Sequence, residues 1–221
     1  MARSFTRASL HRLDVSQAIV AAAPLTMAAW FYANDITTEH TICSISDTGG
    51  TTDRFAMLAN GDLAGDPIRA SARASDSPSA AATSTSYSAS TWQHACAVFA
   101  SSTSRSAYLN GGGKVTDTNS RTPAGLDSTS VGVLLPLIAS YMDGLIAELG
   151  IWNVALTDAE VASLAKGYSP ASVRPQSLVS HWMLLGNTSP EVDLRTNKFN
   201  LTVTGATKAA HCRILNPGGA R

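Results

Sequence analysis

The chain has 221 residues, 16 acidic and 16 basic side chains, and no net charge. Charged residues make up 14% and hydrophobic ones 44%, so a full core can form without a disulfide scaffold. The neutral balance excludes attraction to nucleic acid or an anionic membrane as the design, and no apolar run approaches the roughly 18 residues that span a bilayer.

Arg3, Arg7, His11 and Arg12 precede an apolar stretch from Ala18 to Pro24 and imitate a targeting peptide. Asp14 and Gln17 interrupt it, and Phe5, Leu10, Leu13 and Val15 alternate like a strand. The expectation is an opening strand and no signal peptide. Residues 24–33 and 41–46 read as strands, and 47–50 as a turn. Residues 54–59 enter a hairpin at Asn60-Gly61, where positive φ comes at low cost. Residues 70–91 are nearly all Ala, Ser and Thr. They fit a linker, or strands with one solvated hydroxyl face; strands are the preferred reading. Residues 91–99 and 105–109 are strands, Asn110 to Gly113 turns the chain, and residues 131–135 form a short apolar strand.

Residues 142–167 carry the clearest signal. Leu145, Ala147, Leu149 and Ile151 would share one face of a strand, with Ile146, Glu148 and Gly150 on the other. Thr157 then opens T-D-A-E, a capping box in which Glu160 reaches back to the Thr157 amide. Leu156 and Val161 fit a hydrophobic staple, Gly167 the left-handed end, and Pro170 the stop. The result is one short helix, about 157–167, too short to stand alone and expected to dock on the edge or end of a sheet. Residues 178–185 and 200–205 give further strands. About a dozen short strands and a single helix predict an all-β sandwich. It forms one domain over 1–221, with 206–221 an extended C-terminal tail.

Four segments, in order, resemble the laminin-G-like, concanavalin A-like lectin/glucanase jelly-roll family. They are Ser4-Phe5 through Val15, the Pro24 to Tyr32 strand, the Thr91 to Phe99 strand with Ala107-Tyr-Leu-Asn-Gly111, and Asp143 to Val161 with its Ile-Trp-Asn-Val-Ala-Leu-Thr core. The resemblance implies two antiparallel sheets packed face to face. It also implies glycan binding, protein binding or a structural part in an assembly. The Ala/Ser/Thr-rich style is similar to that of tailed-bacteriophage virion proteins. That implies a non-enzymatic capsid-decoration or tail-associated protein, made in the host cytoplasm and located in the virion. Its partners would be other virion subunits, with a homo-oligomer expected. The alternative is a carbohydrate-binding module, with or without calcium.

Sugar hydrolysis needs two facing carboxylates. Asp143 and Glu148 are five apart and would point to opposite faces of a regular strand, so no enzyme is expected. His11, His40, His94, His181 and His211 are scattered, and Gly-x-Ser-x-Gly is absent. His94 and His181 read as hydrogen-bonded structural histidines, and Glu39-His40 as a loop rather than a site. Asp47, Asp53, Asp62 and Asp66 are the calcium candidates, though turn chemistry explains them equally. Trp30, Trp92, Trp152 and Trp182 read as core, leaving Tyr87 and Tyr168 freer to meet a ligand. Cys43, Cys96 and Cys212 read as three free thiols, or one pair and a leftover. Arg3, Arg7 and Arg12, with Lys198, Lys208, Arg213 and Arg221, are solvated charge or docking arms. No catalytic, metal or cofactor role is assigned to any residue. The partner surface is left to loops and ends.

Overall fold

The computed structural model describes residues 1–211 except Thr51, Pro136, Asn187 and Asn197; Cys212, Arg213 and Arg221 lie outside the described residues. Two antiparallel sheets form a sandwich. The first has eight strands. Its path runs β10 (Gly112–Asp117), β9 (Ser104–Leu109), β8 (Gln93–Ser101), β3 (Leu25–Ala33), β12 (Gly144–Trp152), β1 (Ala2–Phe5) and β15 (Thr207–Ala209). β13 (Leu178–Trp182) also pairs with β12, so β1 and β13 share one of its edges end to end. The second sheet runs β14 (Thr202–Thr204), β2 (Arg12–Val15), β11 (Ser128–Val131), β4 (Glu39–Ser46), β5 (Arg54–Asn60), β6 (Pro67–Ala74) and β7 (Ser77–Ser86).

Period-2 patterning places the core. Leu25, Met27, Ala29, Phe31 and Ala33 of β3 point inward and meet Ile42, Ile45, Phe55, Met57 and Ile68 of the second sheet. The Ala/Ser/Thr-rich stretch is the β6–β7 pair, as its composition predicts, with Ala70, Ala72 and Ala81 packed into the core. The strand expected at residues 131–135 lies earlier, at β11, because Gly132 takes φ +80° and turns the chain.

The expected faces of β12 are half wrong. Ile146 joins the core, as do Leu149 and Ile151, while Leu145 is only half-buried. Ala147 pairs with Trp30 and Gly150 with Ala28, so Glu148 and Leu149 together oppose one residue of β3. This is a β-bulge, with Glu148 at φ +51°. One extra residue inverts the parity, so even positions face inward before it and odd ones after.

The helix, α1 (Asp158–Ala165), has the predicted cap: the Glu160 N–H donates to Thr157 Oγ1 and the Thr157 N–H to Glu160 Oε2. It docks on the outer face of the first sheet rather than at an edge. Val161 and Leu164 there pack with Leu156, Trp152, Tyr108, Cys96 and Val98. The Tyr108 hydroxyl and Lys114 Nζ, both 2.8 Å from Asp158 Oδ1, pin its first turn.

The tail reading also starts too early. Thr207–Ala209 pair with β1 in the register Ala2↔Ala209, Arg3↔Lys208, Ser4↔Thr207, which satisfies the edge amides and carbonyls of β1. Arg3 is not solvated either: it is buried in a 2.8 Å ion pair with Glu191 and donates to the Ala206 carbonyl.

Candidate functional site

At the end of the sandwich where β3 stops, several connections are stitched together. The Asn34 N–H donates to the Asp143 carbonyl at 3.0 Å, Gly61 N–H to Thr38 at 3.0 Å, and Thr41 N–H to Ser140 at 2.8 Å. Between them lies a polar cleft of about 380 Å³, walled by Arg7, Thr38, Glu39, Asp62, Ser140 and Tyr141, within the range of small-molecule sites.

Its polar groups form one network. Glu39 accepts from the Ser140 hydroxyl through one oxygen and from Asn60 Nδ2 through the other. Asn60 Nδ2 also donates to Asp62 Oδ1 at 3.1 Å. Arg7 Nε donates to the Tyr141 carbonyl at 2.9 Å, and its Nη2 lies 3.0 Å from His40 Nδ1. The Asp143 N–H points at the same nitrogen, at 3.2 Å. Two donors converge on Nδ1, which is therefore the acceptor, and the ring proton sits on Nε2, 3.2 Å from the Asp35 carbonyl. Burial lowers the His40 pKa below its ordinary 6.5, opposed by Asp35 and reinforced by Arg7. Asp35 moves the other way: its partial burial disfavours charge, but donation from the Thr37 N–H and Thr38 hydroxyl wins and brings it down to about 2.

Three buried polar atoms of this end, Thr41 Oγ1, Asn60 Oδ1 and the Tyr141 hydroxyl, have no partner. Asn60 is 1% exposed and Tyr141 5%, yet Asn60 Oδ1 and the Tyr141 hydroxyl make no hydrogen bond. Such groups normally cost about 1–3 kcal/mol each.

The outer face of β3 and β8 carries a second feature. Trp30 and Trp92 are half-buried there rather than core, whereas Trp152 and Trp182 are fully buried as expected. Tyr32 and Trp92 meet edge to face with centroids 6.0 Å apart, and Trp30 meets His94 at 5.5 Å. The His94 pKa is pushed down to about 3 by burial; its Nδ1 has no hydrogen bond, so packing rather than bonding holds the ring. His181 does bond, with Nε2 2.8 Å from Glu148 Oε2.

The other sequence candidates scatter. Asp53 and Asp62 flank opposite ends of β5, and the described residues contain no group of three or more acidic, His or Cys side chains fit for a metal. Asp143 Oδ1 accepts from Asn34 while Glu148 faces His181, so the two carboxylates do not face one gap. Tyr87 is buried against Phe31, which removes it as a ligand contact; Tyr168 is 37% exposed. Cys43 and Cys96 are free and buried, and burial raises the Cys43 pKa to about 12. Glu39-His40 begins β4 rather than a loop; Glu39 lines the cleft and His40 is buried. A wider cleft of about 430 Å³ at the other end has mostly alanine, proline and Phe55 walls. No described helix is long and apolar enough to cross a membrane.

No curated protein matches the chain in sequence. Among solved structures, it is similar to a proposed carbohydrate-binding protein of Bacteroides ovatus, with a TM-score of 0.68 and 18% identity, covering 97% of this chain and 61% of that longer one. It is similar to the native heptameric SAP-like pentraxin of Limulus polyphemus, with a TM-score of 0.60 and 17% identity over 74% of this chain and 81% of that one. It also resembles the CBM40 of the Ruminococcus gnavus IT-sialidase bound to α2,3-sialyllactose, with a TM-score of 0.55 and 14% identity over 64% of this chain and 82% of that one. At these identities the likenesses concern the fold. The Laminin_G_3 family matches residues 9–162, and with that match and the two-sheet sandwich the chain belongs to the concanavalin A-like lectin/glucanases superfamily.

Proposed function

We propose that the protein is a carbohydrate-binding module without catalytic action, and that it holds sugar in the polar cleft at the end of the sandwich. The observation that carries this reading is the cleft itself, a rim of hydroxyls and carboxylates from Thr37, Thr38, Glu39, Asp62 and Ser140. Sugars offer hydroxyl donors and acceptors to such groups. The lectin-type fold and the glycan-bound CBM40 support it. Binding of the full chain to a glycan array, followed by calorimetry on the best ligands, tests it. Saturable binding that weakens in Glu39→Ala is expected; a blank array refutes the reading.

Another observation favours protein docking. Leu10, Ile36 and Leu63 stand exposed on loops of the same end, and Leu137 and Ile138 on the β11–β12 connection. Apolar tips of this kind suit a partner surface. The virion reading, with capsid or tail subunits or a second copy as partner, rests there. Mass spectrometry of particles of the source phage tests it, and their lack of the chain ends it.

A further inference from the structure

We infer that the wider cleft at the opposite end of the sandwich is a second binding site, which takes a small carboxylic acid with an apolar body. This site stands apart from the carbohydrate reading of the rim. The cleft holds about 430 Å³, within the range of small-molecule sites. Phe55 of β5, held edge to face against Phe99 of β8 with ring centroids 4.9 Å apart, lines it together with Ala22, Pro24, Ala100 and Pro123. Phe55 and Pro123 are nearly covered, while Ala22, Pro24 and Ala100 are open to solvent. None of these side chains carries a polar atom, so the walls suit an aliphatic or aromatic body that removes them from water.

Charge supplies the other half. Arg121 is the one ionisable side chain among the described residues that line this cleft. Its backbone is fixed, because the Arg121 N–H donates to the Ser102 carbonyl at 2.8 Å in the turn between β8 and β9. The side chain is half-buried; Nη1 donates to the Ser120 carbonyl at 2.6 Å and Nη2 reaches the Pro78 carbonyl at 3.4 Å. Each Nη carries a second hydrogen, and a carbonyl does not neutralise a cation. Among the described residues no carboxylate pairs with Arg121. Asp117 is paired with the buried Arg105, and Asp53 accepts from the Ser75 and Ala124 amides. Burial lowers the Arg105 pKa and the charge of Arg121 lowers it further, against Asp117. Two guanidinium groups thus share one carboxylate. A ligand carboxylate supplies the missing partner, since its two oxygens match the guanidinium fork. The hydroxyls of Ser102 and Thr122 line the same cleft, bond nothing among the described residues and can donate to the same group. An uncharged apolar molecule leaves the cation unpaired, and a bare anion leaves the apolar walls wet.

The experiment titrates benzoate, cyclohexanecarboxylate and hexanoate into the full chain by calorimetry at low and moderate salt. Benzamide is the uncharged control and acetate the control without an apolar body. The acids are expected to bind saturably, at least about tenfold tighter than either control, and less well at moderate salt. A control that binds as tightly as the acids overturns the inference, and so does the failure of every acid to bind. Arg121→Gln is expected to lower affinity for the best acid by about tenfold or more. Arg121→Lys, which keeps the charge and loses the fork, is expected to lower it less. Ala100→Trp places a ring in the cleft from an exposed position and is expected to abolish binding. Thermal midpoints establish that each variant is folded. Affinity unchanged in Arg121→Gln or in Ala100→Trp overturns the inference. Glycan binding at the rim is expected to be the same in all three variants, so the two sites stand or fall separately.

Discussion

Two clusters of buried polar groups look alike in composition and differ in how completely their members are bonded: near β13 the carboxylates are, with only the His181 Nδ1 left over among the described residues. Near β13, Asp193 accepts four hydrogens, from the His181, Arg195 and Phe199 amides and the Ser180 hydroxyl. Beside it Glu191 holds Arg3 through one oxygen and the Leu185 N–H through the other. At the rim, Asn60 and Tyr141 are as deeply buried, yet each keeps one unbonded atom. A satisfied network fixes the shape of the chain; an unsatisfied one carries a free-energy cost. The carboxylates near β13 are therefore architecture, and the rim is where binding is proposed.

Four measurements bear on that contrast, from the largest effect down. Arg3→Ala leaves Glu191 buried without its cation, with an expected loss of about 3–5 kcal/mol in denaturant titration. A loss below about 1 kcal/mol would place this pair on the surface in effect and break the comparison.

Acid is the next lever. His40 and His94 both have folded pKa values below 6.5. The unfolded chain thus binds more protons as pH falls through 6.5, and stability is full above that value. It is lost below it, continuing toward pH 3 for His94, at up to about 1.4 kcal/mol per unit for each group. Urea midpoints should drop between pH 7.5 and 5, less steeply in His94→Gln. An equally steep profile in that variant would clear His94 of the effect.

Thr157→Ala removes the helix cap and should cost about 1 kcal/mol, seen as a lower thermal midpoint with the rim unaffected. Tyr141→Phe should have the smallest effect and raise stability, by up to about 1 kcal/mol, because its buried hydroxyl bonds nothing in the protein. A clear destabilisation would mean that the hydroxyl has a structural partner.

The contrast also explains what could be read in advance. The Thr157 cap, the Asn60-Gly61 turn and the alternation of β3 depend on neighbours within a few residues, so they are written locally. The bulge at Glu148 is not, because nothing in a glutamate announces left-handed φ; the constraint comes from β3 and from His181 across the sheet. The rim was invisible for a related reason. Arg7 and Tyr141 bond across 134 residues and Glu39 and Ser140 across 101, so no spacing betrays them. Asn60 was legible as a turn former, and Glu39-His40 as a polar pair ahead of an apolar strand. Neither signal tells a turn from a site. The tryptophans divided because strand position sets their depth but not which face a helix covers: α1 seals Trp152 and leaves Trp30 and Trp92 half open.

The placement of β1 has a consequence for how the chain comes to order. Among the described residues its partners are β12 and β15, so Ala2–Phe5 has no strand to join before Gly144 exists. During synthesis the first strand must wait, its edge open, while most of the second sheet and the β3–β8–β9 ribbon can already assemble. Contacts of such long range slow folding. Closure is then a late event in which Phe5 enters the core, Arg3 finds Glu191 and β15 covers the remaining edge. The protein is thus fastened by the first and last of its described strands.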